Sequence, residues 1–193
     1  MMTSKGILFV MSGASGVGKG SIHKEVLARV PDIKLSVSVT TRPRRQGEVD
    51  GRDYFFISPG DFETKIQNNE FLEYARVYSQ MYGTLKSEVV ETLHSGYDVL
   101  LEIDIQGARQ VRDKMPQGVF IFIQPPSLEA LVDRIHGRGL DSQQSIQDRL
   151  DSCHAEMAMA RYYDYVVVND RLEDAVKKVE AIIIAERCRV KYY

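Results

Sequence analysis

Cysteine, excess charge and long apolar runs are all scarce in this sequence, and each scarcity argues against a class of protein. The 193 residues contain two cysteines, Cys153 and Cys188, without metal-ligand spacing or a histidine cluster beside them. Such usage favours a reducing cytoplasm, buried or idle thiols and no structural metal. No apolar run approaches the roughly 20 residues that span a bilayer, and the N-terminus lacks a signal-peptide cleavage site. We therefore expect a cytoplasmic protein with no membrane partner.

The charge balance gives no sign of nucleic-acid binding. The formal net charge is −2, and the 27% of charged residues is ordinary for a globular protein. Proteins that bind nucleic acid usually carry a basic surface, so we expect no nucleic-acid partner. A site for an anionic ligand would therefore need a local cluster of basic residues.

Short apolar runs alternate with helical stretches along most of the chain. Gly6–Met11 is apolar throughout and ends at Ser12-Gly13, which is typical of a strand buried on both faces of a parallel sheet. Further runs of this kind are Tyr97–Ile103, Val119–Ile123 and Tyr165–Val168. Helical spacing precedes Pro31 and recurs in Ala108–Lys114, Leu128–His136, Ile146–Arg161 and Leu172–Arg189. This alternation predicts an α/β fold with a parallel sheet flanked by helices.

Two segments interrupt the alternation. Residues 36–88 contain the basic turn Arg42–Gly47 and many aromatic residues, and they are too long for a connection, so we expect an inserted subdomain. Residues 134–149 place glycines beside arginines and continue into a polar run. That pattern predicts a segment that moves with its charges attached.

Residues 13–21 carry the strongest functional signal. Gly13–Lys19 fills the G-x-x-x-x-G-K part of the phosphate-loop pattern, between a predicted strand and a predicted helix. Glycines allow successive backbone N–H groups to face phosphate oxygens, and the helix N-terminus adds positive potential. The sequence therefore predicts a P-loop NTPase-type site for a nucleoside triphosphate, with Lys19 on the β- and γ-phosphates. Its residues are Gly13, Ala14, Ser15, Gly16, Val17, Gly18, Lys19, Gly20 and Ser21.

One position departs from the pattern. Gly20 stands where a serine or threonine hydroxyl usually binds Mg²⁺, and Ser21 follows it. Either Ser21 reaches the ion, or Mg²⁺ is held mainly by waters and the phosphates. The missing hydroxyl argues against a regulatory GTPase.

Acidic and basic residues complete the expected site. Glu102 and Asp104 share one face at the end of a predicted strand, where a carboxylate faces the ligand crevice of a parallel sheet. The basic turn carries Arg42, Arg44 and Arg45, with Arg52, Tyr54 and Tyr82 nearby in the sequence. Arginine forks suit bidentate contact with a second phosphate group.

A family resemblance rests on seven motifs that occur in order. They are Ser12–Gly20, Ser36–Arg42, Gly47–Tyr54, Glu70–Glu73, Tyr82–Thr84, Asp104–Gly107 and Val168–Asp170. The set resembles guanylate kinase and covers nearly the whole chain. The resemblance implies a core domain (1–36, 89–126 and 158–193), a GMP-binding domain (37–88) and a lid (127–157). It also implies the reaction ATP + GMP ⇌ ADP + GDP with Mg²⁺ as cofactor. We expect dGMP as a further substrate, and the apolar run Ile182–Ile184 of the last predicted helix, although more typical of a core, leaves a homodimer open.

The resemblance also implies roles for individual residues. The GMP phosphate is bound by Arg42, Arg45, Tyr54 and Tyr82, and the guanine by Ser38, Glu73, Thr84 and Asp104. From its place beside Asp104, Glu102 is also predicted to be a GMP-binding residue. Thr84 stands where serine is common. The lid arginines are Arg134, Arg138 and Arg149, and Asn169 lies near the adenine. The catalytic set is then Lys19, Arg42, Arg45, Arg134, Arg138 and Arg149.

Guanine recognition also follows from hydrogen-bond chemistry. A carboxylate such as Glu73 accepts from both N1–H and N2–H₂ of guanine, whereas adenine places an acceptor there. Sites built around hydrogen bonds reject analogues that lack them by roughly 10⁴-fold or more. Ser38 and Thr84 can donate to O6, which adenine does not have.

Two alternatives of different kinds remain at this point. One is a guanylate-kinase-like interaction domain without activity, but such domains generally have degraded phosphate loops, whereas this chain keeps Lys19 and the arginine set. The other is a kinase for another small acceptor, against which the guanine-contact positions argue. ADP release in the presence of GMP separates the first, and a screen of nucleoside monophosphates separates the second.

Overall fold

The structure is a computed structural model and describes residues 5–14, 16–77, 79–131 and 156–190. The strands of these residues are β1 (Leu8–Gly13), β2 (Ile33–Leu35), β3 (Val39–Thr40), β4 (Phe55–Phe56), β5 (Phe71–Val77), β6 (Gln80–Leu85), β7 (Asp98–Glu102), β8 (Val119–Gln124) and β9 (Tyr165–Val168). The helices with described ends are α1 (Lys19–Arg29), α2 (Pro59–Gln67), α3 (Lys86–His94), α4 (Ile105–Lys114) and α5 (Leu172–Arg187), and Met159–Tyr162 forms a 3₁₀ turn.

A parallel sheet of five strands forms the centre of the molecule. Its order is β2-β7-β1-β8-β9, and every neighbouring pair is parallel. All six residues of β1 are buried, as expected for a central strand with helices on both faces. The predicted α/β fold with a P-loop NTPase-type parallel sheet is confirmed.

Alternate residues of β1 face two different layers of helices. Phe9 and Met11 pack in one cluster with Ile22 and Val26 of α1 and the apolar face of α5. Leu8 and Val10 pack on the other face with residues of α3 and α4. This alternation follows from the two-residue period of a strand, and it fixes the end of β1 between the two helix layers.

A second, smaller sheet occupies residues 39–85. Its strand order is β4-β3-β6-β5, mainly antiparallel, and α2 covers one face. Phe62 of α2 stacks on Phe71 of β5 with ring centroids 4.4 Å apart. The aromatic residues that mark this segment in the sequence therefore form a core of their own.

Three local features differ from the sequence expectations. Helix α4 begins at Ile105 rather than Ala108, because the Asp104 carboxylate caps it by accepting from the Gly107 N–H at 2.7 Å. Strand β2 and helix α3 have no counterpart among the predicted elements.

None of the described helices combines the length and apolar character needed to cross a membrane.

Candidate active site

A crevice opens where the carboxyl ends of β1 and β7 face the second sheet. Its volume is about 500 Å³. It is lined by Gly13, Lys19, Ser38, Tyr54, Glu73, Ala75, Arg76, Val77, Tyr82, Glu102, Ile103, Asp104, Gln106 and Glu156. Residues predicted for the triphosphate and for the second nucleotide thus line one cavity. Among the polar lining residues, the sequence analysis assigns no role to Arg76, Gln106 or Glu156.

The phosphate loop is tied to the segment after β9. The buried Asn169 side-chain amide donates to the Val17 carbonyl at 2.8 Å. Gly18 has a φ of 94°, and a Cβ at that position would lie 2.6 Å from the Asn169 Nδ2. A side chain at position 18 is therefore excluded both by backbone conformation and by the close approach of Asn169.

Lys19 is turned toward its own loop. Its Nζ donates to the Gly13 carbonyl at 2.6 Å and to the Ala14 carbonyl at 3.2 Å. Burial lowers the pKa of Lys19, and the negative charge of Glu102 opposes that shift. To contact a phosphate, the ammonium group must exchange these carbonyls for phosphate oxygens.

Glu102 lies beside the first turn of α1. Its carboxylate contacts the His23 ring nitrogen Nδ1. It also faces Gly20, since a Cβ on Gly20 would lie 3.8 Å from one carboxylate oxygen and 4.0 Å from the other. The Ser21 side chain is exposed. Among the described residues, no cluster of three or more His, Cys, Asp or Glu side chains could hold a metal ion without other ligands.

Glu73 and Thr84 form a buried pair across β5 and β6. The Thr84 hydroxyl donates to the Glu73 Oε1 at 2.7 Å, and Glu73 is 5% exposed. Burial raises the pKa of Glu73 to about 7, with Thr84 opposing and Asp104 adding to the shift. Gly107 makes room for this carboxylate, because a Cβ there would lie 2.6 Å from Glu73 Oε2.

Arg42 is held in a bidentate ion pair. Its Nη2 and Nη1 donate to the two Glu48 oxygens at 2.7 and 3.1 Å, and the Arg45 backbone N–H donates to the same carboxylate at 2.8 Å. The hydrogen bond raises the pKa of Arg42 and lowers that of Glu48. The guanidinium also lies 5.3 Å from the Tyr54 ring centroid. Glu48 therefore fixes the Arg42 side chain and, through the Arg45 backbone N–H, the turn on which Arg45 lies.

Comparison with known proteins identifies the family. A family model described as guanylate kinase matches residues 5–186. This chain belongs to the guanylate kinase family. Guanylate kinase from Syntrophomonas wolfei is 56% identical over 190 residues, covering 98% of this chain and 97% of that protein. Guanylate kinase from Clostridioides difficile is 49% identical over the whole chain and 94% of its own length.

A solved structure supports the same assignment. The crystal structure of guanylate kinase from Anaplasma phagocytophilum has a TM-score of 0.79 and 32% identity, covering 98% of this chain and 90% of that one. The resemblance to guanylate kinase expected from the seven motifs is confirmed.

The predicted guanylate kinase residues differ in where the structure places them. Lys19, Ser38, Tyr54, Glu73, Tyr82, Glu102 and Asp104 line the crevice, while Thr84 lies buried behind Glu73. Arg45 is exposed, and Asn169 contacts the phosphate loop. Ser15, Arg134, Arg138 and Arg149 lie outside the described residues. The adenine contact of Asn169 stays a prediction.

Besides those lining residues, sequence reasoning missed three residues that position other groups of the site, namely His23, Glu48 and Gly107. The spacing of His23 from Lys19, four residues along one helix, was a usable signal because such residues share a helix face. Glu48 and Gly107 occur inside recognised motifs, but their roles depend on partners brought near by the fold.

Proposed function

We propose that this member of the guanylate kinase family transfers the γ-phosphoryl group of ATP to GMP in the crevice between its two sheets, giving ADP and GDP. The observation that carries the proposal is the common cavity of Lys19, on the phosphate loop, and Glu73, a buried carboxylate able to read guanine. A triphosphate on the loop and a guanine at Glu73 would point their phosphates toward each other.

The ATP half of the site consists of the loop 13–21. Its backbone N–H groups and the start of α1 surround the phosphates, and Lys19 moves from the Gly13 and Ala14 carbonyls onto them. Asn169 maintains the loop through its hydrogen bond to Val17, and its contact with adenine is part of the proposal.

The GMP half divides between base and phosphate. Glu73, once ionised, accepts from guanine N1–H and N2–H₂, while Ser38 and Asp104 supply further contacts to the base. The buried Thr84 hydroxyl has to turn away from Glu73 to donate to guanine O6. The phosphate is bound by Arg42, Arg45, Tyr54 and Tyr82. Arg42 contacts the phosphate dianion with the guanidinium N–H groups that Glu48 and the Pro43 carbonyl leave free.

Catalysis in this arrangement consists of positioning and charge stabilisation. The GMP phosphate oxygens are ionised at neutral pH and need no catalytic base. Lys19, Arg42 and Arg45 hold the two polyanions in line, which supplies much of the rate enhancement. Arg134, Arg138 and Arg149 are proposed to cover the transferring group and to exclude water.

Mg²⁺ fits the oxygen donors at the end of β7. Glu102 and Asp104 line the crevice near Lys19, and Glu102 borders the position where Gly20 lacks a hydroxyl. These carboxylates, together with Ser21, are the candidates to hold the ion, mainly through water. When bound, Mg²⁺ neutralises phosphate charge and orients the phosphate chain.

Several expectations about the chain as a whole stay predictions. They are the division into core (1–36, 89–126, 158–193), GMP-binding domain (37–88) and lid (127–157), the cytoplasmic location, the use of dGMP, a homodimer, and the absence of nucleic-acid and membrane partners.

A coupled assay of ADP release tests the proposed reaction. With saturating MgATP, GMP is expected to support turnover at least about 10³-fold better in kcat/KM than AMP, CMP or UMP. Binding of GMP without ADP release would indicate an interaction domain. Comparable rates with another nucleoside monophosphate would assign a different acceptor.

Glu48→Gln is expected to raise the KM for GMP about fivefold to tenfold and to change kcat and the KM for ATP less than about threefold. The substitution removes the bidentate, charge-assisted contact that orients Arg42, which is a strong kind of hydrogen bond. Steady-state kinetics with each substrate varied in turn provide the measurement.

Glu70→Gln is the matched control for this variant, since Glu70, just before β5, pairs with Lys65 of α2 at 2.8 Å. Tighter GMP binding by Glu48→Gln would mean that Glu48 competes with the phosphate instead of positioning its arginines.

A further inference from the structure

We infer that His23 is a positioning residue that holds the Glu102 carboxylate against the phosphate loop, next to the hydroxyl position left vacant by Gly20. In this position, Glu102 contributes to binding of the magnesium-bound nucleotide. The inference rests on the proposed function, because it assigns one part of the ATP half of the same site.

The geometry of α1 brings the three residues together. Lys19 and His23 are one helical turn apart, so their side chains lie on the same face. That face looks onto the end of β7, where His23 Nδ1 contacts a Glu102 oxygen. The side chains are 13% and 27% exposed for His23 and Glu102, so the contact is largely withdrawn from solvent.

Gly20 gives the carboxylate its place. Within the described part of the chain, the two Glu102 oxygens are the only atoms outside α1 and the neighbouring residues that lie within 4 Å of a Cβ built on Gly20. A side-chain hydroxyl at this position would approach those same oxygens. Because residue 20 has no hydroxyl, Glu102 supplies the protein oxygens at this point.

His23 is what fixes Glu102 in this position. Among the described residues, the His23 ring is the one hydrogen-bond partner of the Glu102 side chain. The nearby Lys19 ammonium group donates instead to the Gly13 and Ala14 carbonyls. A carboxylate that faces a crevice without such a partner samples several rotamers, and ordering it costs free energy when the nucleotide binds. Residues that orient a metal-binding carboxylate typically contribute 10-fold to 100-fold in metal affinity.

A pair of substitutions at His23 separates positioning from packing. In His23→Asn the amide Nδ2 lies about where the ring Nδ1 does, so the donor to Glu102 is retained. In His23→Leu a side chain of comparable size fills the space without a donor. Calorimetric titration with ADP, with and without MgCl₂ and with no GMP present, measures the factor by which Mg²⁺ strengthens nucleotide binding.

For His23→Leu we expect this factor to fall about tenfold, while ADP alone binds within twofold of the parent protein. His23→Asn should recover most of the loss. In a Glu102→Gln background, His23→Leu should have little additional effect, since the carboxylate it positions is already gone. The KM for GMP is expected to stay within twofold in both His23 variants.

Three results would overturn the inference. The first is equal weakening of ADP with and without Mg²⁺, which would indicate loss of loop packing. The second is an unchanged magnesium factor. The third is a GMP-specific defect, which would place Glu102 in the GMP site. Because ADP binding needs no acceptor, a failure here is distinct from a failure of the proposed reaction, which would appear as absent turnover with GMP in the parent protein.

Discussion

Glu73→Gln is expected to lower kcat/KM for GMP by about 10²-fold or more and, at the same time, to make the folded protein more stable above pH 7. The first effect arises because the amide places one donor against the two donors of guanine, where the carboxylate places two acceptors. ATP binding measured without GMP should be unaffected, since Glu73 lies in the small sheet rather than in the phosphate loop.

The stability gain follows from the cost of a buried charge. Burial raises the pKa of Glu73 to about 7 from an ordinary value of 4.5, so the folded protein holds the proton more tightly than the unfolded chain. The neutral Glu73 carboxyl group makes its full contribution to the free energy of unfolding below pH 4.5, and this contribution is lost as the pH rises to about 7. At about 1.4 kcal/mol per pH unit, the loss reaches up to about 3 kcal/mol. Glutamine stays neutral and avoids it.

Thermal unfolding at two pH values measures this second effect. Near pH 8 the variant should unfold roughly 6 to 12 °C above the parent protein, and near pH 5 the two should nearly coincide. Glu63→Gln, on the exposed side of α2, is the control and should show no such pH dependence. A variant less stable than its parent at pH 8 would mean that the ionised carboxylate is compensated within the fold.

The same titration predicts the pH profile of GMP use. Below about pH 7 the protonated Glu73 cannot accept from both guanine donors, so kcat/KM for GMP should rise with pH and level off above 7. Ionisation of the GMP phosphate, near pH 6, adds to the profile of both proteins. The difference between the profiles of the parent protein and Glu73→Gln therefore isolates the carboxylate.

Lys19→Ala is expected to reduce kcat by at least about 10³-fold while the fold persists. The lysine supplies the only loop side chain with a positive charge, and preorganised charges at a transferring phosphoryl group account for effects of this size. Stability should change little, because the burial that lowers the pKa of Lys19 offsets its hydrogen bonds to the Gly13 and Ala14 carbonyls.

ADP release under saturating substrates gives kcat, and thermal unfolding reports the fold. Lys24→Ala, on the exposed side of the same helix, is the matched control and should be nearly silent in both measurements. Turnover within tenfold of the parent protein would contradict the assignment of Lys19.

The parts of the site that sequence reasoning predicts are those encoded within a few residues of each other. The apolar run Gly6–Met11, the glycines and Lys19 specify a strand, a loop and a helix by local rules, and the structure has all three. The seven motifs extend this to the family. Local patterns also indicate a second sheet in outline, through its aromatic residues.

The missed parts depend on residues that meet only in the folded chain. Glu73 and Gly107 are 34 positions apart, and His23 and Glu102 are 79 apart, so no local pattern links them. The predicted start of α4 is wrong for a related reason, because the periodicity of apolar residues does not show that Asp104 caps the helix.

The hydrogen bond from Asn169 to Val17 spans 152 residues and has a consequence for the order in which the molecule is completed. The phosphate loop leaves the ribosome well before Asn169, the residue after the edge strand β9 whose side chain holds the loop backbone. A nascent chain therefore carries the loop sequence long before it carries the finished loop. The hydrogen-bonded form of the loop thus has to wait until all five strands of the central sheet have been made.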